Sequence, residues 1–121
     1  MLFLFRIVST IIACEGNYGH VKCRPGYVIK VLSANYGRTS RKICRSKSVR
    51  TTKCINKGTL GKVKQLCQNR RRCRLLATSR VFGNACKGTK KYLSVFYTCR
   101  PKRKFFFLFH FQNKGQNVFF L

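Results

Sequence analysis

The chain is expected to fold as a small α+β domain, a short antiparallel β-sandwich with one short helix, held together by four disulfides. Three observations predict this. Eight cysteines, at positions 14, 23, 44, 54, 67, 73, 86 and 99, fall within 121 residues, the even count and density of a stapled extracellular module. Residues 92–99 alternate apolar and polar side chains at the period of a half-buried strand. A single segment repeats apolar residues at helical spacing, with Leu60, Val63 and Cys67 at i, i+3 and i+7. A chain this short forms one domain and buries only a modest fraction of its surface, so covalent staples must supplement the core. Zinc would ask for close pairs such as C-x2-C, whereas the tightest spacing here is Cys67 to Cys73. Disulfides are therefore expected, with no metal and no cofactor.

Taken in order, residues 1–10 (MLFLFRIVST) read either as a residual leader, short and without a basic start, or as the beginning of a first strand over Arg6 to Ala13. Tyr27 to Leu32 is a β-branched run and a second strand. In Ala34-Asn35-Tyr36-Gly37-Arg38 the asparagine and glycine are turn formers, and a turn is expected. Thr59 is positioned to cap the helix, Leu60, Val63 and Cys67 share one face, and Asn69 supplies a left-handed stop. Arg74 to Ala77 is a further short strand. In Tyr92 to Cys99, Leu93, Val95, Tyr97 and Cys99 point to one side and would bury three large side chains and a disulfide. The cysteines stop at Cys99. Residues 101–121, with Lys102, Arg103 and Lys104 followed by FFFLFHF, carry no periodicity suited to a packed element. They are expected to be a poorly ordered or non-native tail beyond the domain of residues 11–100. The seven-residue apolar run is too short to span a bilayer, although beside basic residues it suits a membrane interface.

Charge narrows the partners. Against 27 lysines and arginines there is one carboxylate side chain, Glu15, and the formal charge is +26. Such a surface attracts polyanions in a salt-sensitive way, whether glycosaminoglycan, lipopolysaccharide, anionic lipid or nucleic acid. Arg70, Arg71, Arg72 and Arg74 around Cys73 form the strongest candidate polyanion patch, with Lys87, Lys90 and Lys91 and the tail cluster as further contributors. Catalysis is not expected. One carboxylate cannot form the acid/base pair of glycoside hydrolysis. Paired cysteines leave no thiol nucleophile. His20 and His110 lie on opposite sides of the cysteine region, His20 reading as a surface residue of a loop.

The words between the cysteines carry a resemblance. "ACEG" at 13–16, "ANYGRT" at 34–39, "VFGNAC" at 81–86 and "GTKKYLSVFYTC" at 88–99 together resemble the rhamnose/galactose-binding lectin domain of the sea-urchin-egg-lectin type, found in fish egg lectins and at the extracellular end of latrophilins. The resemblance covers roughly residues 11–100. It implies a β-sandwich-like α+β fold and the pairing Cys14–Cys44, Cys23–Cys99, Cys54–Cys86 and Cys67–Cys73. It also implies a non-catalytic, secreted lectin for L-rhamnose- or D-galactose-type glycans, including those on bacterial surfaces, and no specific nucleic-acid partner. It leaves the oligomeric state open.

The same resemblance implies a sugar site. Glu15 matches the family's glutamate after the first cysteine, Gly88 and Lys91 match its glycine and lysine, and Asn84 stands where its aspartate would be. The residue types suit the ligand. A carboxylate accepts from two vicinal hydroxyls at about 1.5–3 kcal/mol per charge-assisted bond, a lysine donates from the other side, and a glycine lets the backbone approach. Four departures point to a weakened or altered site. Asn84-Ala85-Cys86 replaces Asp-Pro-Cys, losing a charge and a φ restraint. Ser40 replaces a common acid, Lys90 replaces a tyrosine, and the Cys44 to Cys54 segment is short.

Overall fold

The computed structural model describes residues 7–102, which form seven elements: β1 (Ser9–Cys14), β2 (Tyr18–Lys22), β3 (Tyr27–Gly37), α1 (Thr59–Cys67), β4 (Arg72–Leu76), α2 (Ser79–Phe82) and β5 (Tyr92–Pro101). The strands make a three-stranded antiparallel sheet in the order β1-β5-β3 and a two-stranded antiparallel ribbon, β2-β4. β5 is the central strand of the sheet and carries large apolar side chains into the core. Leu93 and Val95 are fully buried and Tyr97 nearly so. Across the ladders Leu93 faces Ala13 and Tyr36, and Tyr97 faces Val31. The core lies between this sheet and the ribbon with its helices, where Val21, Leu75, Val63 and Phe82 close over Ile29, Val31, Tyr36 and the β5 residues. Each such side chain contributes about 1.5–3 kcal/mol by leaving water.

The first strand begins at Ser9 rather than Arg6, and Ile7 and Val8 are exposed. The expected turn over Ala34–Arg38 is instead extended, Ala34–Gly37 ending β3 and Arg38 forming an isolated bridge to Cys54. A register shift between Val31 and Ser33 lets the strand continue to Gly37. Asn35 and Gly37 serve close approach to a neighbour. The Asn35 amide donates to the Cys54 carbonyl at 3.2 Å and its oxygen accepts the Asn56 N–H at 2.8 Å. A Cβ on Gly37 would collide with that same Cys54 carbonyl. Arg38 and Cys54 then exchange backbone hydrogen bonds of 2.9 and 3.0 Å.

Thr59 does not cap α1. The N-cap position is Gly58, without a side-chain cap, and Thr59 is buried in the first turn, where its hydroxyl accepts the Tyr36 N–H at 3.0 Å. The left-handed stop at Asn69 is present, with φ of 65°. Residues 68–70 then lie along the edge of β3. The Gln68 side chain accepts the Val31 N–H, the Asn69 N–H reaches the Ile29 carbonyl, and the Arg70 carbonyl accepts the Ile29 N–H. The strand expected at Arg74–Ala77 is β4, displaced to Arg72–Leu76 and paired with β2. His20 accordingly sits in a strand, still exposed, and not in a loop. A second, four-residue helix, α2, adds to the one expected.

All eight cysteines are paired, as Cys14–Cys44, Cys23–Cys99, Cys54–Cys86 and Cys67–Cys73, with Cα–Cα distances of 5.6, 5.8, 6.0 and 5.4 Å. This is the connectivity the resemblance implies. Among the described residues no helix is long and apolar enough to cross a membrane. Arg103, Lys104 and His110 lie outside the described residues.

Candidate functional site

Where β1 ends, Cys14 faces Tyr92 at the start of β5. The chain then leaves through Glu15-Gly16-Asn17, with Gly16 at φ of 93°. This bend is fixed on both sides. The Gly16 N–H donates to the Ala77 carbonyl at 2.8 Å, the Ala77 N–H returns to the Asn17 carbonyl at 3.0 Å, and the Asn17 N–H donates to the Cys14 carbonyl at 2.9 Å. Glu15 is thereby delivered to the segment entering β5. Its own N–H donates to the Lys91 carbonyl at 3.1 Å, and its Oε1 accepts the Lys91 N–H at 2.8 Å. The carboxylate is anchored by a backbone N–H, and its second oxygen is not consumed by that bond.

The facing wall is built by Arg38, which is fully buried. With a single carboxylate side chain in the protein, its charge is solvated by carbonyls. Its Nε donates to Lys90, and its Nη atoms donate to Ser40, Ile43 and Cys44, each at 2.7 Å. The guanidinium also lies over the Tyr92 ring, 5.1 Å from the centroid. The short segment after Cys44 is pulled against residues 89–91. The Lys90 N–H donates to the Ser48 carbonyl at 2.7 Å, and the Arg50 N–H donates to the buried Thr89 hydroxyl at 3.0 Å.

Between these walls is a cleft of about 280 Å³, bounded by the Cys14–Cys44 disulfide, Glu15, Asn17, Arg45, Ser46 and Lys90–Lys91. Pockets for drug-sized ligands run from about 300 to 1,000 Å³, so this one suits a single small polar ring. Its lining offers a carboxylate, an amide and a hydroxyl as acceptors, with Arg45 and Lys90 as exposed cationic donors.

Of the four residues implied as the sugar site, two line this cleft. Glu15 and Lys91 meet in the cleft. The Lys91 side chain, however, is 4 % exposed and its Nζ donates to the Thr89 carbonyl at 2.8 Å. Gly88 holds φ of 85° on the approach to β5, but the Arg50 side chain lies over it, its Nε 2.9 Å from where a Cβ would stand. Asn84 is exposed beyond α2 and does not line the cleft. Arg70, Arg71, Arg72 and Arg74 are all exposed, but on and before β4, away from the cleft lining. Arg74 stacks on the Tyr18 ring at 4.3 Å, directly opposite His20, and Arg72 stands opposite Lys22.

Sequence reasoning missed Arg38, Asn17, Arg45 and Ser46. The signal for Arg45 was available, because a Cys14–Cys44 bridge makes residues 15 and 45 neighbours. Below the site, burial raises the pKa of the Tyr36 phenol. The Ser79 hydroxyl opposes this without reaching hydrogen-bonding geometry, and the Glu15 charge adds to it.

Comparison with known proteins follows the same lines. Residues 21–99 match the D-galactoside/L-rhamnose binding SUEL lectin domain. The L-rhamnose-binding lectin CSL1 of Oncorhynchus keta is 42% identical over 93 residues, 75% of this chain and 32% of that protein. Protein eva-1 homolog C of Mus musculus is 40% identical over 98 residues, covering 76% and 22%. Latrophilin Cirl of Drosophila mojavensis is 36% identical over 93 residues, covering 75% and 5%. The chain thus spans a third or less of these relatives.

Proposed function

The chain belongs to the SUEL lectin family, and from that premise we propose that it is a non-catalytic carbohydrate-binding domain holding one rhamnose- or galactose-type sugar in the Glu15 cleft. The observation that carries this reading is the Glu15 carboxylate, fixed by the Lys91 N–H at 2.8 Å with its other oxygen left to accept vicinal hydroxyls. Asn17 and Ser46 complete a polar lining of the kind that orients a sugar ring. Four disulfides favour an extracellular setting. The protein's glycan partners, including bacterial surface glycans, are part of the same proposal.

Competition decides it. Free L-rhamnose or D-galactose should displace the protein from a glycan-bearing surface, and Glu15→Gln should remove that displacement. Binding indifferent to both would refute the reading.

A second reading, a polyanion-binding face, is favoured by the exposed side of the β2–β4 ribbon. There Lys22 opposes Arg72 and His20 opposes Arg74, continuing into Arg70 and Arg71. Like charges directly across an antiparallel pair, as at Lys22 and Arg72, are destabilising, and a bound polyanion relieves them. That binding would weaken steeply with salt and ignore free sugar.

A further inference from the structure

We propose that the cleft prefers an acidic sugar, a monosaccharide unit bearing one carboxylate or sulfate beside its vicinal hydroxyls. This rests on the Glu15 cleft being the sugar site. Arg45 and Lys90 line the same cleft as Glu15, and both are exposed. Glu15 is the only Asp or Glu in the whole chain, and its carboxylate accepts the Lys91 N–H. No second carboxylate side chain exists to pair with Arg45 or Lys90. Arg50, lying over Gly88 next to Thr89, adds a further guanidinium to this end of the domain.

The cleft is therefore net positive while holding a carboxylate, an arrangement that treats the two ends of a ligand differently. Glu15 accepts hydroxyl protons. Arg45 and Lys90 meet a substituent that must be an acceptor, and an anionic one turns neutral hydrogen bonds into charge-assisted ones, bidentate in the arginine case. A neutral sugar engages the first set and leaves the second to water. Lys90 is held at this wall by its backbone, which donates to Ser48 and accepts from Arg38, so the exposed side chain starts from a fixed backbone position.

The test measures binding of D-galactose, D-galacturonate and a sulfated galactose by calorimetry at low and at physiological salt, with free acetate and sulfate as controls. Galacturonate, sulfated galactose or both should bind about tenfold more tightly than galactose at low salt, with the ratio shrinking as salt rises. In Arg45→Ala, and separately in Lys90→Tyr and Lys90→Gln, the ratio should fall toward one. The two arms distinguish a carboxylate from a sulfate site. Equal affinity for the three sugars overturns the preference and leaves the lectin reading standing, and so does a preference that survives all three substitutions. Competition by acetate or sulfate as strong as by the acidic sugars also overturns it. No binding of any sugar overturns both this inference and the Glu15 reading beneath it.

Discussion

Replacing Arg38 should damage stability and sugar binding together, although its side chain does not line the cleft. The guanidinium is fully buried and donates four hydrogen bonds of 2.7 Å to the carbonyls of Ser40, Ile43, Cys44 and Lys90. Each charge-assisted bond nominally contributes about 1.5–3 kcal/mol, but burying the charge costs several kcal/mol and offsets much of the sum. Breaking a buried charged network typically costs about 3–5 kcal/mol, and Arg38→Ala should fall in that range because four carbonyls lose their donor at once. For a domain of this size roughly 4–8 °C of melting temperature is lost per kcal/mol, so the drop should exceed about 12 °C. Arg38→Lys keeps the charge but not the planar fork that serves four acceptors, and should cost about 2–3 kcal/mol. The assay is thermal unfolding without reductant, followed by sugar titration well below the transition. Arg38→Lys should bind more weakly while folded, because Cys44 and Lys90 form the wall of the cleft. An Arg38→Ala protein melting within about 4 °C of the wild type would refute the view that this cation organises the segment.

Gly37→Ala should destabilise by at least about 1–3 kcal/mol, the usual cost of overpacking, since the new methyl meets backbone at Cys54 and the Asn35 amide at 2.9 Å; chemical denaturation reads it. Removing the Cys23–Cys99 bridge by a double alanine substitution should cost about 4 kcal/mol, because it closes a loop with a sequence separation of 76. Tyr36→Phe should be neutral or slightly stabilising at neutral pH, since the buried hydroxyl has no hydrogen-bond partner. The same substitution carries a pH signature. The folded phenol resists ionisation, so the wild type keeps its full stability below the unfolded pKa of about 10 and loses it as pH rises beyond. Tyr36→Phe should lack that alkaline loss, which short incubations at rising pH would detect as a stability difference that opens only above pH ~10.

Elements with strong local periodicity could be read from the sequence. The central strand declared itself through Leu93, Val95 and Tyr97, and α1 through Leu60, Val63 and Cys67, because each pattern is a direct image of one buried face. What failed was residue chemistry serving a distant partner. Asn35 and Gly37 look like turn formers, yet one bonds residues 54 and 56 and the other makes room for the Cys54 carbonyl. Thr59 looks like a cap, yet its hydroxyl serves Tyr36. β2 escaped notice because Tyr18-Gly19-His20-Val21-Lys22 has a weak pattern of its own and is a strand through its pairing with β4. The disulfide connectivity and the Glu15–Lys91 pair came from family likeness; Arg38 lay inside a recognised word without revealing that its charge would be buried.

The one acidic side chain in so basic a chain can perform two separable physical tasks. Glu15 joins the end of β1 to the start of β5 through its own N–H and through its side chain, a structural task that needs an acceptor oxygen but no charge. A glutamine performs it nearly as well, since its carbonyl oxygen reaches the same Lys91 N–H. Gripping hydroxyls or balancing Arg45 and Lys90 needs the charge itself. Glu15→Ala therefore orphans the Lys91 N–H at about 1–3 kcal/mol and confounds the two roles, whereas Glu15→Gln separates them. A glutamine variant that melts like the wild type yet no longer yields to free sugar would assign the charge to the ligand and the oxygen to the fold.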